Sequence, residues 1–583
     1  MKPLKGLTLV GVLLLSLIAV PPLLAKDLAP YNFDRFFDPA RLVRIDLRIA
    51  TNDWDALRVQ ERSLIKTMRT DLPPAERDKF FDEFRAELAI DGTPVGPVSV
   101  RKKGFVGSLT KERPSLKIKL NRYDKKKMFA GLEMLTLNNN RQDPSRLNQV
   151  IGYGLFRKEG WPASRCNLAV VTVNGQSLGI YSNVESVDGE FFRHRYPKDR
   201  GTLWEGTVAD FNSEDLARFE RKFGPSEATN QLAAVVAALE GPDSKVLDAL
   251  AKVIDVDAFL RFWAMEVLIG HWDGYASNRN NYFLYFNGLT RRLVFVPWGA
   301  DQLAEEKNFF WGDPSFVPPK SVKAASVLPR RLYGLTEGRE RYFATMRSVL
   351  KEVWNEEELG NQFASLKNLI KDEKPRPEDH DTQRHASLEA FIKTRRADIE
   401  KEMKQPYPEW ALKPFETVGH IFKVGVVDLE FSITQKNAGA GSGKLEDTSG
   451  TARLQLTMKE KPILFDSPTF RIGSEKMPWG GTKWTILISR PPVAPDEPAA
   501  VEVTFYAGNP NDGPITSQLR VDAFASPAQT RILEPATDGK PPQGLALAAG
   551  QLNLTRFDPV NSGEIKGHLT GELFTSDKGN KKN

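Results

Sequence analysis

Between residues 270 and 302 the chain gathers side chains able to bind a cation or accept a proton. The stretch GHWDGYASNRNNYFLYF (270–286) sets His271 two residues ahead of Asp273. Asn278, Asn280 and Asn281 follow, and an aromatic run begins at Tyr282. A second apolar run, RRLVFVPWGADQ, leads to Asp301. If the two runs form a hairpin, a loop acid, a loop amide and a second acid meet at one end of it. Phosphoryl transfer needs that set. One carboxylate orients the attacking hydroxyl, while an amide oxygen and another carboxylate hold magnesium against the phosphates. Protein kinases carry the parts in this order, as H-R-D-x-x-x-x-N, a β-hairpin and the Asp of D-F-G. His271-Trp272-Asp273 stands where H-R-D would. Asn281 directly precedes the strand and is the first choice for the metal-holding amide, with Asn278 second. The plainer alternative remains open, because H-x-D arises by chance and asparagines before strands often close turns.

Upstream segments offer phosphate-binding parts. SVRKKGFVGS (99–108) is a basic, glycine-bearing loop after a strand, with Lys103, Gly104 and Ser108 placed for phosphate oxygens. In SLKIKL (115–120), Leu116, Ile118 and Leu120 alternate with Lys117 and Lys119. One of these lysines could reach the α- and β-phosphates, or both could be solvated on an edge strand. DPSRLNQVIGYGLFRKEG (143–160) predicts a helix with Asp143 as N-cap and Pro144 at the first helical position. Its apolar face is Leu147, Val150, Ile151, Leu155 and Phe156, and Gly160 closes it. GIYSNVESVD (179–188) reads as a strand entering a hinge, where backbone groups around Glu185 to Val187 could bond adenine.

The elements that must position these residues follow from periodicity. RLVRIDLRIA (41–50), the segments flanking DGTPVG (91–96), and GLEMLTLNNN (131–140) read as strands. CNLAVVTVNGQSLGIYSNVE is a hairpin turning at Asn174-Gly175. Residues from about 225 to 270 and 335 to 404 read as helices. Beyond a proline-bearing linker, seven short strand-like runs separated by turns predict an all-β sandwich. The fold class is therefore α+β: a two-lobed, kinase-like domain followed by a sandwich. The expected boundaries are 1–25 signal peptide, 26–404 kinase-like domain, 405–420 linker, 421–575 sandwich and 576–583 disordered tail. Within the kinase-like domain the N-lobe is expected at about 40–190 and the C-lobe at about 190–404.

Composition narrows the function classes. The 81 basic and 75 acidic residues nearly cancel over 583 positions, and no basic stripe interleaves with aromatics, so nucleic-acid binding is not expected. The start, MKPLKGLTLVGVLLLSLIAVPPLLAKD, has a basic region, an apolar run and a small residue at Ala25, which predicts a cleaved export signal. No later apolar run is long enough for a membrane span. The chain is expected in the periplasm, secreted or at the cell surface. Cys166 is the only cysteine, so no internal disulfide forms and no cysteine metal site exists. The six histidines are scattered, which argues against a histidine zinc site.

With these stretches in hand, the sequence resembles the spore coat protein H (CotH) kinase family. The carrying segments are SVRKKGFVGSLTKERPSLKIKL, GLEMLTLNNNRQDPSRLN, LFRKEGWPASRCNLAVVTVNGQSLGIYSNVESVD, HWDGYASNRNNYFLYF and LVFVPWGADQ, within roughly residues 40–400. The resemblance implies an exported atypical kinase that moves phosphate from ATP to serine or threonine hydroxyls of exported or cell-surface proteins, with Mg²⁺ or Mn²⁺. It implies that Asp273 is the catalytic-loop acid, Asn281 the amide before the strand and Asp301 the metal-binding acid. Lys117 matches the strand lysine, and Lys103 with Gly104 matches the family's R-G pair. Two departures stand out. Gly299 occupies the place of an aspartate directly after P-W, and Asn148-Gln149 replace a frequent Arg-Glu. They motivate the competing reading, a catalytically retired kinase fold serving as a surface or coat assembly module. A third reading, glycan processing by the β region, rests on Trp410, Trp479 and Trp484 and lacks a paired-acid site.

Overall fold

The computed structural model describes residues 33–577, except 74–75, 77–78, 127, 306–310, 312–314, 374–380, 416–418, 435–442, 478–480, 492, 495–496, 508–514, 523–525, 537–541 and 559–562. The expected signal peptide, the last six residues of the polar tail and Trp479 lie outside the described residues, as does most of the glycine-rich loop after residue 434.

Seven strands form a closed barrel in the order β1-β2-β3-β4-β5-β7-β6. They are β1 (Leu42–Ile49), β2 (Phe84–Ile90), β3 (Thr93–Lys103), β4 (Ser115–Lys119), β5 (Met134–Asn138), β6 (Cys166–Val173) and β7 (Gln176–Glu185). Closure comes from parallel pairing of β1 with β6, Leu42 opposite Leu168 through Leu47 opposite Val173. Strand alternation sends Val43, Ile45, Leu47, Val100, Leu116, Ile118 and Leu137 into one apolar cluster. The β6–β7 turn uses Asn174 (φ 51°) and Gly175 (φ 82°), the left-handed pair that a two-residue hairpin requires.

The helix after β5 begins later than its sequence predicts. It spans Asn148–Lys158 (α1), while residues 143–146 form a turn in which Arg146 adopts φ 65°. Asp143 still caps it from a distance, its carboxylate accepting the Asn148 N–H at 2.9 Å. A local turn closed by Arg146 N–H on Asp143 O (2.9 Å) displaces the proline-first start.

A second sheet follows, in the order β11-β10-β8-β9. Its strands are β8 (Thr202–Gly206), β9 (Glu220–Phe223), β10 (Tyr282–Asn287) and β11 (Arg292–Pro297). The long apolar helix Val256–Leu268 (α2) packs behind it, Phe259 and Phe262 meeting Phe295 of β11 at 4.8 and 5.3 Å between rings. α2 ends where Arg395 of the helix Asp381–Glu402 (α3) donates to the Leu268 carbonyl at 2.9 Å, and Gly270 (φ 65°) turns the chain into His271.

The C-terminal region differs from the expected sandwich. It is one sheet of ten strands. Its first strand β12 (Ile421–Thr434) pairs with both β21 (Glu564–Ser576) and β13 (Glu446–Met458), so the ladder returns on itself as a rolled sheet. Alternating apolar residues such as Val427, Leu429, Phe431, Leu552 and Leu569 point inward together. Alternation reports only that one face is buried. It does not distinguish a partner sheet from the far side of the same curled sheet. Strands of 13 to 15 residues, such as β12, β20 (Gly544–Asp558) and β21, are long enough for twist to bring the edges together. Trp484 is buried in this core and Trp410 is buried against Trp311 (5.5 Å between rings), so neither offers a sugar-stacking face. Among the described residues no helix is long and apolar enough to cross a membrane.

Candidate active site

A cavity of about 1370 Å³ lies where the first barrel meets the second sheet, and most of the sequence-selected residues line it. Lys103, Gly104 and Ser108 enter from the end of β3 and its loop, and Lys117 from β4. Val187 enters from beyond β7, Asp273, Asn278 and Asn281 from the loop after α2, and Asp301 from beyond β11. Strand alternation decides which basic residues take part. On β3, Arg101 and Lys103 face the cavity, while Lys102 turns away to donate to Arg58 O at 2.6 Å. On β4, Lys117 lines the cavity and Lys119 does not.

Glu185 sits elsewhere. Its carboxylate is clamped by Arg195 (2.8 Å) and accepts the Arg165 N–H (2.9 Å), and its own N–H donates to Arg165 O (2.9 Å). The segment that borders the cavity is Ser186-Val187-Asp188, one residue further on.

Asp273 is held by amides. Asn281 Nδ2 donates to Oδ2 at 2.7 Å, Asn280 Nδ2 to both oxygens at 3.2 Å, and Asn278 Nδ2 to Oδ1. Burial pushes the Asp273 carboxyl up to about 7 despite these donors. Burial likewise lifts Asp301 to about 6, with Lys103 pulling the other way. Lys103 and Lys117 are each lowered to about 8, by burial first and then by neighbouring cations. Near pH 7 both acids can therefore exchange protons, while both lysines remain mostly charged.

The residues that depart from the family pattern have local work. Asn148 Nδ2 donates to the Asp301 carbonyl at 2.8 Å, tying α1 to the second acid. Gln149 accepts from Asn138 Nδ2 at 2.6 Å, and Asn138 in turn accepts from the Lys103 ammonium. An amide relay therefore connects Lys103, at the end of β3, to α1. Gly299 has φ 56°, and a Cβ there would come 2.4 Å from Asn281 Cγ. The glycine is what lets the chain after β11 pass the Asn281 amide. His271 braces the same point, donating from Nε2 to Gly299 O at 3.1 Å; burial lowers its imidazole to about 4, so the ring is neutral.

Glu205, Lys222 and Asp188 line the cavity too and were not anticipated. Burial pushes Glu205 up, but Lys222 at 2.7 Å outweighs it and holds the carboxyl down at about 2. β8 and β9 are only five and four residues long, too short for alternation to announce them. Ser108 Oγ is engaged by its own loop, accepting Phe105 N–H at 2.9 Å, so it shapes the turn around Gly104. Among the described residues no three His, Cys, Asp or Glu side chains are placed together as a metal cluster. The oxygen donors that converge are a carboxylate pair and asparagine amides, and the Asn281 amide oxygen accepts no hydrogen bond among the described residues.

Comparison with known proteins supplies the class, a kinase-like protein. The chain belongs to the CotH kinase protein family, whose model matches residues 100–407. It is 24% identical to the inner spore coat protein H of Bacillus subtilis over 258 residues, covering 42% of this chain and 70% of that protein. It is 22% identical to the invasin CotH7 of Rhizopus delemar over 247 residues, 39% of this chain and 41% of that one. The spore coat protein homolog 1 of the same fungus is 23% identical over 251 residues, 40% and 41% of the two chains. The chain thus spans about two fifths of the fungal relatives' length.

Proposed function

We propose that this chain is an exported atypical protein kinase that moves the γ-phosphate of ATP to serine or threonine hydroxyls of exported or surface proteins. The observation that supports this most is that Asp273, Asn281 and Asp301 line one cavity with Lys103 and Lys117. Mg²⁺ or Mn²⁺ would be held by Asp301 and Asn281, with Asn278 as a further amide; an oxygen-only donor set suits a hard cation. When bound, such an ion neutralises charge on the β- and γ-phosphates. Lys103 and Lys117 bring positive charge to the phosphate oxygens. Asp273 takes the hydroxyl proton as the new O–P bond forms and the bond from the γ-phosphorus to the ADP oxygen breaks. A carboxyl at about 7 suits that exchange at neutral pH. Export is supported by the N-terminal pattern and by relatives named as spore-coat and invasin proteins.

One observation favours a second reading. Both Asp273 oxygens already accept amide hydrogens, as in an acid kept for architecture, which fits a surface or coat assembly module without transfer. Labelled ATP with Mn²⁺ separates the two. In the kinase reading wild type incorporates phosphate, Asp273→Asn incorporates at least about 100-fold less, and Asp301→Ala abolishes ATP-dependent thermal stabilisation. That stabilisation amounts to about 2.7 kcal/mol at 100 times the dissociation constant. Equal incorporation by wild type and Asp273→Asn would sink the kinase reading, and stabilisation without incorporation favours the module.

A further inference from the structure

Two walls of the cavity are fixed by chain that lies more than a hundred residues downstream. The first wall is the short segment containing Arg62, Leu64 and Met68, all of which line the cavity. Asp522, just after strand Ile515–Val521, accepts the N–H groups of Leu64 (2.6 Å) and Ile65 (3.1 Å), both bonds buried. Arg520 donates to Arg62 O at 2.9 Å and pairs with Glu61 at 3.2 Å. Ile65 packs in a cluster with Ile421, Ala549 and Phe574, with Met68 against it, and Lys66 pairs with Glu572.

The second wall is the Asn278–Asn281 loop. Between the asparagines that hold Asp273, Arg279 is buried in a left-handed conformation (φ 57°) that an arginine does not favour unaided. Its guanidinium lies 4.0 Å over the ring of Phe415, and both residues line the cavity. Phe415 belongs to the connection leading into β12. Four residues on, Gly419 O accepts from Arg218 Nη2 at 2.6 Å. Then Ile421 O accepts the Thr70 N–H at 2.7 Å, and Lys423 N–H donates to Asp71 at 3.2 Å. Between Phe415 and Lys423 the chain therefore touches the Asp273 loop at one end and the segment behind the first wall at the other.

We infer that the C-terminal rolled sheet and its leading residues are a brace that positions both walls of the cavity, so that binding at the site depends on them. Phe415 and Asp522 are the positioning residues. Phe415 holds Arg279, and with it the loop that presents the Asn278, Asn280 and Asn281 amides to Asp273. Asp522 holds Leu64 and Ile65, and with them the opposite rim. The consequence for binding rests on reading this cavity as the nucleotide site; the bracing itself does not.

The test uses the full chain in two arms. The first is hydrogen–deuterium exchange without ligand. Asp522→Asn sets an amide donor against one of two backbone donors, and Glu572→Gln removes the partner of Lys66. Both are expected to raise exchange at residues 62–68 and leave the first barrel unchanged. Phe415→Ala is expected to raise it at 275–281. The second arm is ATP affinity with Mn²⁺, expected to weaken at least fivefold in Asp522→Asn and Phe415→Ala and to recover in Phe415→Tyr. Glu572 is partly exposed, so its variant carries the test if a buried substitution does not fold. Unchanged exchange at both segments in folded variants overturns the brace. Raised exchange with wild-type ATP affinity overturns its role at the site. A wild-type chain that binds no ATP sinks the nucleotide reading while the exchange arm still decides the brace.

Discussion

Gly299 shows how a single position is decided by its neighbour. An aspartate there would match the family pattern, yet a side chain must start 2.4 Å from Asn281 Cγ with the backbone at φ 56°. Gly299→Asp is therefore expected to destabilise the chain by about 2 kcal/mol, from the left-handed strain alone and before the overlap is counted. A urea titration with labelled-ATP incorporation measures both consequences. A variant as stable as wild type and more active would mean that the glycine is merely a missing acid. Asn148 makes a parallel case. Asn148→Ala leaves the part-buried Asp301 carbonyl without its 2.8 Å donor, and losing such a bond costs about 1 kcal/mol. Thermal melting should show that loss, with weaker metal-dependent stabilisation by ATP. Both expectations fail if Asn148 and Gly299 tolerate exchange as surface positions do.

At the scale of elements, α2 and the loop it feeds behave as one unit. Glu266, near the C-terminal end of α2, accepts the N–H groups of Tyr275 (2.8 Å) and Ala276 (2.9 Å), so the helix holds the start of the asparagine loop by a carboxyl. Burial raises that carboxyl from its ordinary 4.5 to about 8. A raised native value means the folded chain keeps a proton that the unfolded chain has released. The stabilisation is complete below pH 4.5 and is lost as pH rises through 8. Wild type should accordingly lose stability between pH 5 and pH 8 more steeply than Glu266→Gln, measured by urea unfolding at the two values. Parallel slopes would show that Glu266 is ionised in the fold. The asparagine loop, the hairpin and Asp301 were readable because each motif lies within a short window. Asn138, Glu205 and Lys222 were not, since their roles arise only when β5, β8 and β9 are brought to one cavity.

For the whole molecule, the joint between the two β bodies carries its own pH signature. Burial raises the Glu572 carboxyl, but Lys423 (2.7 Å) and Lys66 outweigh it and hold it down at about 2. A depressed native value stabilises above the ordinary 4.5 and is lost as pH falls toward 2. The stability gap between wild type and Glu572→Gln should be present at pH 7 and shrink below pH 4.5. A gap that is constant with pH would assign the effect to packing. Alternation in the last 160 residues disclosed strands and an inward face but not their closure. Whether opposed apolar faces belong to two sheets or to one curled sheet depends on which strand ends meet, and β12 meets both β13 and β21.

Read along the chain, the residues disclose the longer strands and helices in order, the acid–amide–acid spacing from Asp273 to Asp301, and the family, but not the short β8 and β9. These are local signals, set by side-chain period and by residues within reach of one loop. Folding in three dimensions is what brings Lys103 and Lys117 into one cavity with those acids, sets Asn148, Gln149 and Gly299 against them, and stands residues beyond 414 behind its walls. Those facts depend on contacts between residues far apart in number, which no periodicity along the chain encodes.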